Sequence, residues 1–309
     1  MLNAIQFRLR TMSENLPILF GIYPVFLSGI TLAWLLCLQR CSWTIWGARV
    51  LACGSIIAFI FMAGPWAFTS YYLRYVFLVL FALTVVLSYF RIERSNPHFG
   101  ICADRIPIAS IFVFLLFAVL NALALKSYYP SGRTIDITFP LRSGTYYVLQ
   151  GGGSIVTNPF HVLAGNKKAI DIVKLNPLGN QAENIPPRVL SAYQIFGEKL
   201  YSPCHGRILE VRDSLPDNPP GHPDTKHPEG NYIVLQCPMG NILMAHLKRE
   251  SIMAGPGQIV TEGQQLAEIG NSGNTLEPHL HIEATKDGKP TWLRFNGLSL
   301  SVNSLITRK

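Results

Sequence analysis

Four continuous apolar runs fill the first part of the chain, at positions 18–38, 50–68, 71–90 and 108–125. Each is close to the ~20 residues that a helix needs to cross the hydrocarbon core of a bilayer. They predict four membrane-spanning helices within a region 1–130. The first run starts too late and continues too long for the core of a cleavable signal peptide, and three more runs follow it. The stretch SYYPSGR at 127–133 reads as a short turn-rich linker. Beyond it the pattern becomes short and alternating, at 135–141, 145–149, 169–173, 206–211, 232–236, 242–247, 265–269 and 279–284. Gly, Pro, Asn and Asp punctuate these segments. Such spacing predicts an all-β sandwich or barrel-like domain over 131–309, not a parallel sheet with crossover helices. The insertion DSLPDNPPGHPDTKHPEG at 213–230 is too rich in proline for a central strand. His222 and His227 within it are expected to be solvated loop residues.

Composition fits this division. Only 14% of the residues are charged, and the net charge is +8. Residues 1–130 hold nine Lys+Arg against three Asp+Glu, whereas residues 131–309 hold seventeen against fifteen. The positive excess therefore lies between apolar runs, where it sets membrane orientation. No basic patch interleaved with aromatics marks the second half, so nucleic acid is not an expected partner. Arg40 and Arg49 follow the first run, and Arg91, Arg94 and Arg105 follow the third. Those two connections are expected in the cytoplasm, with both termini and the β domain outside. Arg8 and Arg10 argue weakly for the reverse. Arg74, near the outer end of the third run, is expected to snorkel. No Asp, Glu or His falls inside the four runs. An anchor or a contact surface for a membrane-protein partner is therefore expected, rather than a transport path.

Cys37, Cys41, Cys53 and Cys102 lie in or near the apolar runs without metal-ligand spacing. Cys204 and Cys237 lie in strand-like segments of the second half. They are open to two readings, a disulfide outside the cytoplasm or two separate buried thiols.

The strongest local signal is His279-Leu280-His281 in EPHLHIEA. Side chains two apart on a strand share a face, so both imidazoles point one way and Leu280 and Ile282 point to the core. His246 in LMAHLK is expected opposite its apolar neighbours Leu243, Ala245 and Leu247. Asp171 in AIDIV is expected opposite Ile170 and Ile172. His161 supplies a fourth histidine. Three ligands of the His/Asp type with one open position suit a catalytic zinc. Glu283 shares the face of His281, either as a hydrogen-bond partner of that ring or as a surface carboxylate. Gly270, Gly273 and Asn274 suit a tight turn before the HxH strand.

From about 158 to 284 the chain resembles the lysostaphin-type zinc endopeptidases. The resemblance is carried by YSPCHGRILEV, GNYIVLQ, NILMAHL and PGQIVTEGQQLAEIGNSGNTLEPHLHIE. It implies zinc ligands at His161, Asp171 and His281. It also implies that the non-ligand histidines His246 and His279 orient the attacking water and stabilise the oxyanion. Nine residues separate His161 from Asp171, whereas many family members place these two ligands a few residues apart. The implied activity is metal-dependent hydrolysis of peptide bonds in peptidoglycan cross-links, by an enzyme held in the plasma membrane. Two alternatives stand beside it: a non-catalytic regulator or scaffold for other wall hydrolases, and a peptidase acting on a protein. The presence of all five polar positions favours catalysis.

Overall fold

The structure, a computed structural model, describes residues 2–38, 41–93, 107–184 and 187–308, with residues 2–15 and 93 described by their backbone alone. Four long helices come first: α1 (Leu2–Leu36), α2 (Trp43–Ala63), α3 (Leu73–Glu93) and α4 (Ile108–Ser127). Each contains 20 or 21 residues apolar enough to cross a membrane, namely Leu16–Leu36, Trp43–Ala63, Leu73–Ile92 and Ile108–Ser127. At 1.5 Å per residue each spans about 30 Å, the thickness of the hydrocarbon core.

The second helix is displaced from the expected 50–68. Ser42 caps its start by accepting from the Ile45 amide at 3.4 Å. Gly64 and Pro65 end it, and Trp66–Phe68 form a separate 3₁₀ turn. The apolar run continues past the helix because that turn is buried too. Arg49 and Arg91 donate to the Trp34 and Leu36 carbonyls at 3.1 and 3.0 Å. The guanidinium groups thereby meet acceptors at the C-terminal end of α1, where helix carbonyls lack amide partners. Arg74 does not snorkel. It is 7% exposed and lies over the Phe61 ring, 3.8 Å from its centroid, beside Tyr71 and Tyr75. Arg40, Arg94, Arg105 and Cys102 lie outside the described residues, as do the side chains of Arg8 and Arg10. Cys53 is buried in the helices.

The remainder is a β domain. In chain order it contains β1 (Thr134–Ile137), β2 (Gly144–Gln150), a short helix α5 (Pro159–Ala164), β3 (Ile170–Leu175) and β4 (Lys199–Tyr201). Then come β5 (Gly206–Arg212), β6 (Asn231–Cys237), β7 (Gly240–Leu247), β8 (Ile259–Val260) and β9 (Gln265–Glu268). Last are β10 (Leu280–Lys286), β11 (Lys289–Phe295), β12 (Leu298–Ser299) and β13 (Leu305–Arg308). The main sheet runs β13-β2-β3-β10-β7-β6-β5-β8, with β11 joining β10 to β1 and β12. Every pairing is antiparallel except β1 with β11. One face covers a core that includes Ile170, Ile172, Ile233, Met244, Leu280 and Ile282. Cys204 and Cys237 form a disulfide with their Cα atoms 6.0 Å apart.

The domain is seated on the helix ends. Tyr147, Val173 and Leu175 pack with Ala67 and Tyr71. Asn303 Nδ2 donates to the Met62 carbonyl at 2.6 Å, and Tyr128 Oη donates to the Val302 carbonyl at 2.8 Å. Backbone bonds join Gln181 to Ala67 and Tyr71 to Gly179, both at 2.9 Å.

Candidate metal centre

The face of the sheet opposite the core holds the histidines. Strands β3 and β10 pair so that Asp171 lies directly opposite His281, and β10 pairs with β7 so that His281 lies opposite Ala245. Paired residues share a face. Asp171 and His281 therefore project together, while Ile170, Ile172, Leu280 and Ile282 enter the core, as their alternation predicts.

His246 arrives by another route than the expected one. Leu243 lines the open face, and Ala245 pairs with His281 on that face; Ile242 and Met244 face the core. Unbroken alternation would send His246 into the core with Met244. A β-bulge prevents this. Tyr232 pairs with Ala245 and Asn231 with Leu247, so His246 is the extra residue, and it adopts φ 62°. A bulge re-aims one side chain without losing the strand. Its amide and carbonyl remain bonded, to the Glu229 carbonyl at 3.1 Å and the Gly270 amide at 3.0 Å.

His161 lies on α5, not on a strand. Asn158 explains the nine-residue separation from Asp171. Its amide nitrogen donates to the Lys167 and Ala169 carbonyls at 3.2 and 3.0 Å, closing the loop after α5. Its Oδ1 lies 2.6 Å from His161 Nδ1. That contact places the ring hydrogen on Nδ1 and turns the Nε2 lone pair toward Asp171.

Three ligand atoms converge. His161 Nε2 lies 3.1 Å from His281 Nδ1 and 3.3 Å from Asp171 Oδ1, and His281 Nδ1 lies 3.1 Å from the same oxygen. A tetrahedral ion with bonds of about 2.0–2.1 Å needs ligand atoms roughly 3.3 Å apart. The triangle has the edges of one tetrahedral face, and the cluster fits a metal site. Gln150 Nε2 donates to the other oxygen of Asp171 at 3.3 Å. Glu283 stands 3.9 Å from His281 Nε2, beyond hydrogen-bond reach, and accepts instead from Asn166 at 3.2 Å.

His246 and His279 stand beside the triangle with ring centroids 4.7 Å apart. His246 Nδ1 donates to the Ser272 carbonyl at 2.8 Å. Gly230, at φ +62°, passes so close to Ser272 that a Cβ there would lie 2.2 Å from this carbonyl oxygen. His279 Nδ1 lies 2.9 Å from the Glu277 carbonyl, and its Nε2 lies 3.4 Å from Asp171 Oδ1. The electrostatics separate the two rings. Burial, then the neighbouring rings of His279 and His281, hold His246 well below the usual histidine range. Burial is the largest influence on His279 and would lower it, but Asp171 and then Glu277 together raise this ring. Burial likewise opposes the charge on Asp171, yet His161 and His279 hold the carboxyl well below its ordinary range.

The loop at 213–230 is ordered around the turn before β10. Asn218, Gly221 and Asp224 donate backbone bonds to the Asn271, Leu276 and Gly273 carbonyls at 2.8–3.0 Å. His227 is exposed and bonded to Asp224 at 2.7 Å, and His222 Nδ1 lies 2.9 Å from the Pro220 carbonyl. Neither belongs to the cluster.

Glu277 was not among the expected site residues, although a carboxylate two positions before the HxH motif is a visible signal. It is buried, accepts from Gln181 at 2.6 Å, and burial pushes it up to about 8. The unfolded carboxyl releases its proton near 4.5. Between these values the folded state binds more protons, so stability falls as pH rises through the window. In chelated protein, Glu277→Gln is expected to flatten this decline. Melting temperatures at pH 5 and pH 8 would check it; an unchanged slope would contradict it.

Comparison with known proteins places part of the β domain in a known family. Residues 192–292 match the model for peptidase family M23. The chain is 41% identical over 66 residues to the peptidoglycan DD-endopeptidase ShyA of Vibrio cholerae, covering 21% of this chain and 15% of that protein. It is 30% identical over 96 residues to the peptidoglycan DD-endopeptidase ShyB of the same organism, covering 31% and 19%. A solved zinc-containing peptidase from Vibrio cholerae is 31% identical over 32% of this chain and 26% of that one, with a TM-score of 0.25. The chain thus spans less than a fifth of the length of these curated relatives. His246, His279 and His281 fall inside the family match, while His161 and Asp171 precede it and are brought to it by the fold. The β region of this chain therefore contains a peptidase family M23 domain.

Proposed function

We propose that this protein is a membrane-anchored zinc endopeptidase that hydrolyses peptide bonds in peptidoglycan cross-links, with residues 131–309 as the peptidase domain outside the cytoplasm. The observation that carries the reading is the triangle of His161 Nε2, Asp171 Oδ1 and His281 Nδ1.

A zinc ion held by these three residues would polarise the scissile carbonyl and lower the pKa of a bound water. The protein supplies the remaining steps. Neutral His246, with its hydrogen fixed on Nδ1 by Ser272, offers Nε2 to accept a proton from the attacking water. His279, with Nδ1 held by the Glu277 carbonyl, presents Nε2 to the cleft and in its protonated form donates to the oxygen that becomes negative. Two histidines of opposite tendency thus take the base and donor roles.

Two further observations support the location. Arg49 and Arg91 sit at the helix ends opposite the β domain, where cytoplasmic charge is expected. The Cys204–Cys237 disulfide belongs to an oxidising compartment.

Purified full-length protein in nanodiscs should retain one zinc per chain by elemental analysis. A chelator should remove it together with peptidase activity, and zinc should restore both. Protein that takes up no zinc would refute the reading. Asn158→Ala is expected to weaken zinc retention roughly 10–100-fold, because His161 loses the acceptor on Nδ1. Competition with a fluorescent chelator measures this directly.

A further inference from the structure

The cleft in front of the triangle has a volume of about 450 Å³, and the β domain does not form it alone. One wall carries His161, His246, His279 and Glu277. The other is built from the first helix and the turn after the second, through Pro17, Phe20, Tyr23, Pro65 and Phe68. The Phe20 ring bridges the two walls. Its centroid lies 5.5 Å from Phe68 and 6.2 Å from Phe160, the residue preceding His161 on α5. The catalytic wall carries the cleft's charged and imidazole groups, and the helix wall is apolar.

With the four apolar spans placed in a bilayer, this cleft is fixed in height above it. Residues 128–133 are the whole connection between α4 and β1 and reach at most about 20 Å. The domain is held down by Asn303 on Met62, Tyr128 on Val302, Gln181 on Ala67, and the packing of Tyr147 against Tyr71. Phe20 and Tyr23 lie within the apolar span Leu16–Leu36, near its outer end. Beside them the domain exposes apolar side chains, with Phe160 at 46% and Leu163 at 75%. An apolar surface continuous with membrane-spanning helices meets lipid at lower cost than water. A site so placed does not reach outward to a distant network. Its substrate must come to the membrane.

Accepting the peptidase reading above, on which this rests, we propose that the substrate is a wall peptide still tethered to the same membrane through a lipid. Phe20, Tyr23 and Phe68 are then specificity-determining residues supplied by the helices. The peptide lies along the histidine-bearing wall, and the apolar helix wall receives the part of the molecule nearest the lipid. The first helix and the turn after the second thus form one wall of the substrate cleft as well as part of an anchor.

The test uses the full chain in vesicles of phosphatidylethanolamine and phosphatidylglycerol. The probes are one cross-linked muropeptide dimer, either free in solution or carrying a lipid chain that inserts in the same vesicle. The zinc-loaded wild type should cleave the tethered dimer at least about tenfold faster, since tethering raises effective concentration at the site. Confinement alone would leave that ratio unaltered by changes in the helix wall. Phe20→Ala should lower it at least about fivefold. Tyr23→Ala, at a half-exposed position that folding tolerates, should lower it in the same direction. Zinc content reports whether each variant is folded. Equal rates on both dimers, or a ratio unmoved in both variants, would overturn the proposal and leave the peptidase reading intact. Failure of the zinc-loaded wild type to cut either dimer would overturn both. Cleavage of a single-pass membrane protein near its span, with neither dimer cut, would overturn the assignment to wall peptides.

Discussion

Asp171→Asn is expected to abolish zinc retention and to lower peptide hydrolysis at least about a thousandfold. Asp171 Oδ1 faces three of the histidines, at 3.3 Å from His161, 3.4 Å from His279 and 3.1 Å from His281. The amide keeps the volume of the side chain and removes its charge. Two imidazoles then remain as ligands, fewer than a catalytic zinc requires. A bound metal contributes several kcal/mol of charge stabilisation in the transition state, and about 1.4 kcal/mol is tenfold in rate. Losing about 4 kcal/mol gives the stated factor. The same carboxylate raises His279, so the donor role weakens as well. Elemental analysis and turnover of a muropeptide dimer check the two parts separately. Full zinc occupancy in this variant would remove Asp171 from the ligand set.

The second large effect concerns the disulfide. Cys204 and Cys237 are 33 residues apart in sequence, and both are buried. Closing a loop of this size stabilises the folded domain by about 3–4 kcal/mol on the chain-entropy account. For a domain of this size that corresponds to roughly 10 °C in melting temperature. The double replacement Cys204→Ala with Cys237→Ala is expected to lower the β-domain transition by about this amount. A reductant should do the same to the wild type and nothing further to the variant. A transition insensitive to reductant would mean that the thiols are unpaired in the purified protein. That result would also remove one support for the extracytoplasmic location.

Much of the β domain and its centre could be read from local pattern. Asp171, His279 and His281 obey the strict alternation of strands, so their common face follows from spacing. His246 reached the expected face for a reason the pattern does not contain. Alternation alone would bury it, and a bulge at φ 62° returns it to the cleft. His161 entered through family resemblance, because PFHVLA is too short to display helical periodicity. The hairpin joining β10 to β11 carries a signal of its own in Asp287-Gly288. Asp287 and Gly288 both take positive φ there, as an Asp-Gly turn of this kind demands. Strands β4, β8 and β12 are two or three residues long, which is below any usable period. The seat of the domain on the helices had no signature. It depends on single contacts such as Asn303 with the Met62 carbonyl, which no repeat or spacing announces.

The products of digestion test the peptidase assignment most directly. Zinc-loaded full-length protein in nanodiscs, given a purified cross-linked muropeptide dimer, should yield the two monomers, each mass-identified with a new amino or carboxyl terminus. The reaction should stop on chelation and resume with zinc. A dimer left intact by protein whose zinc content is one per chain would contradict the account.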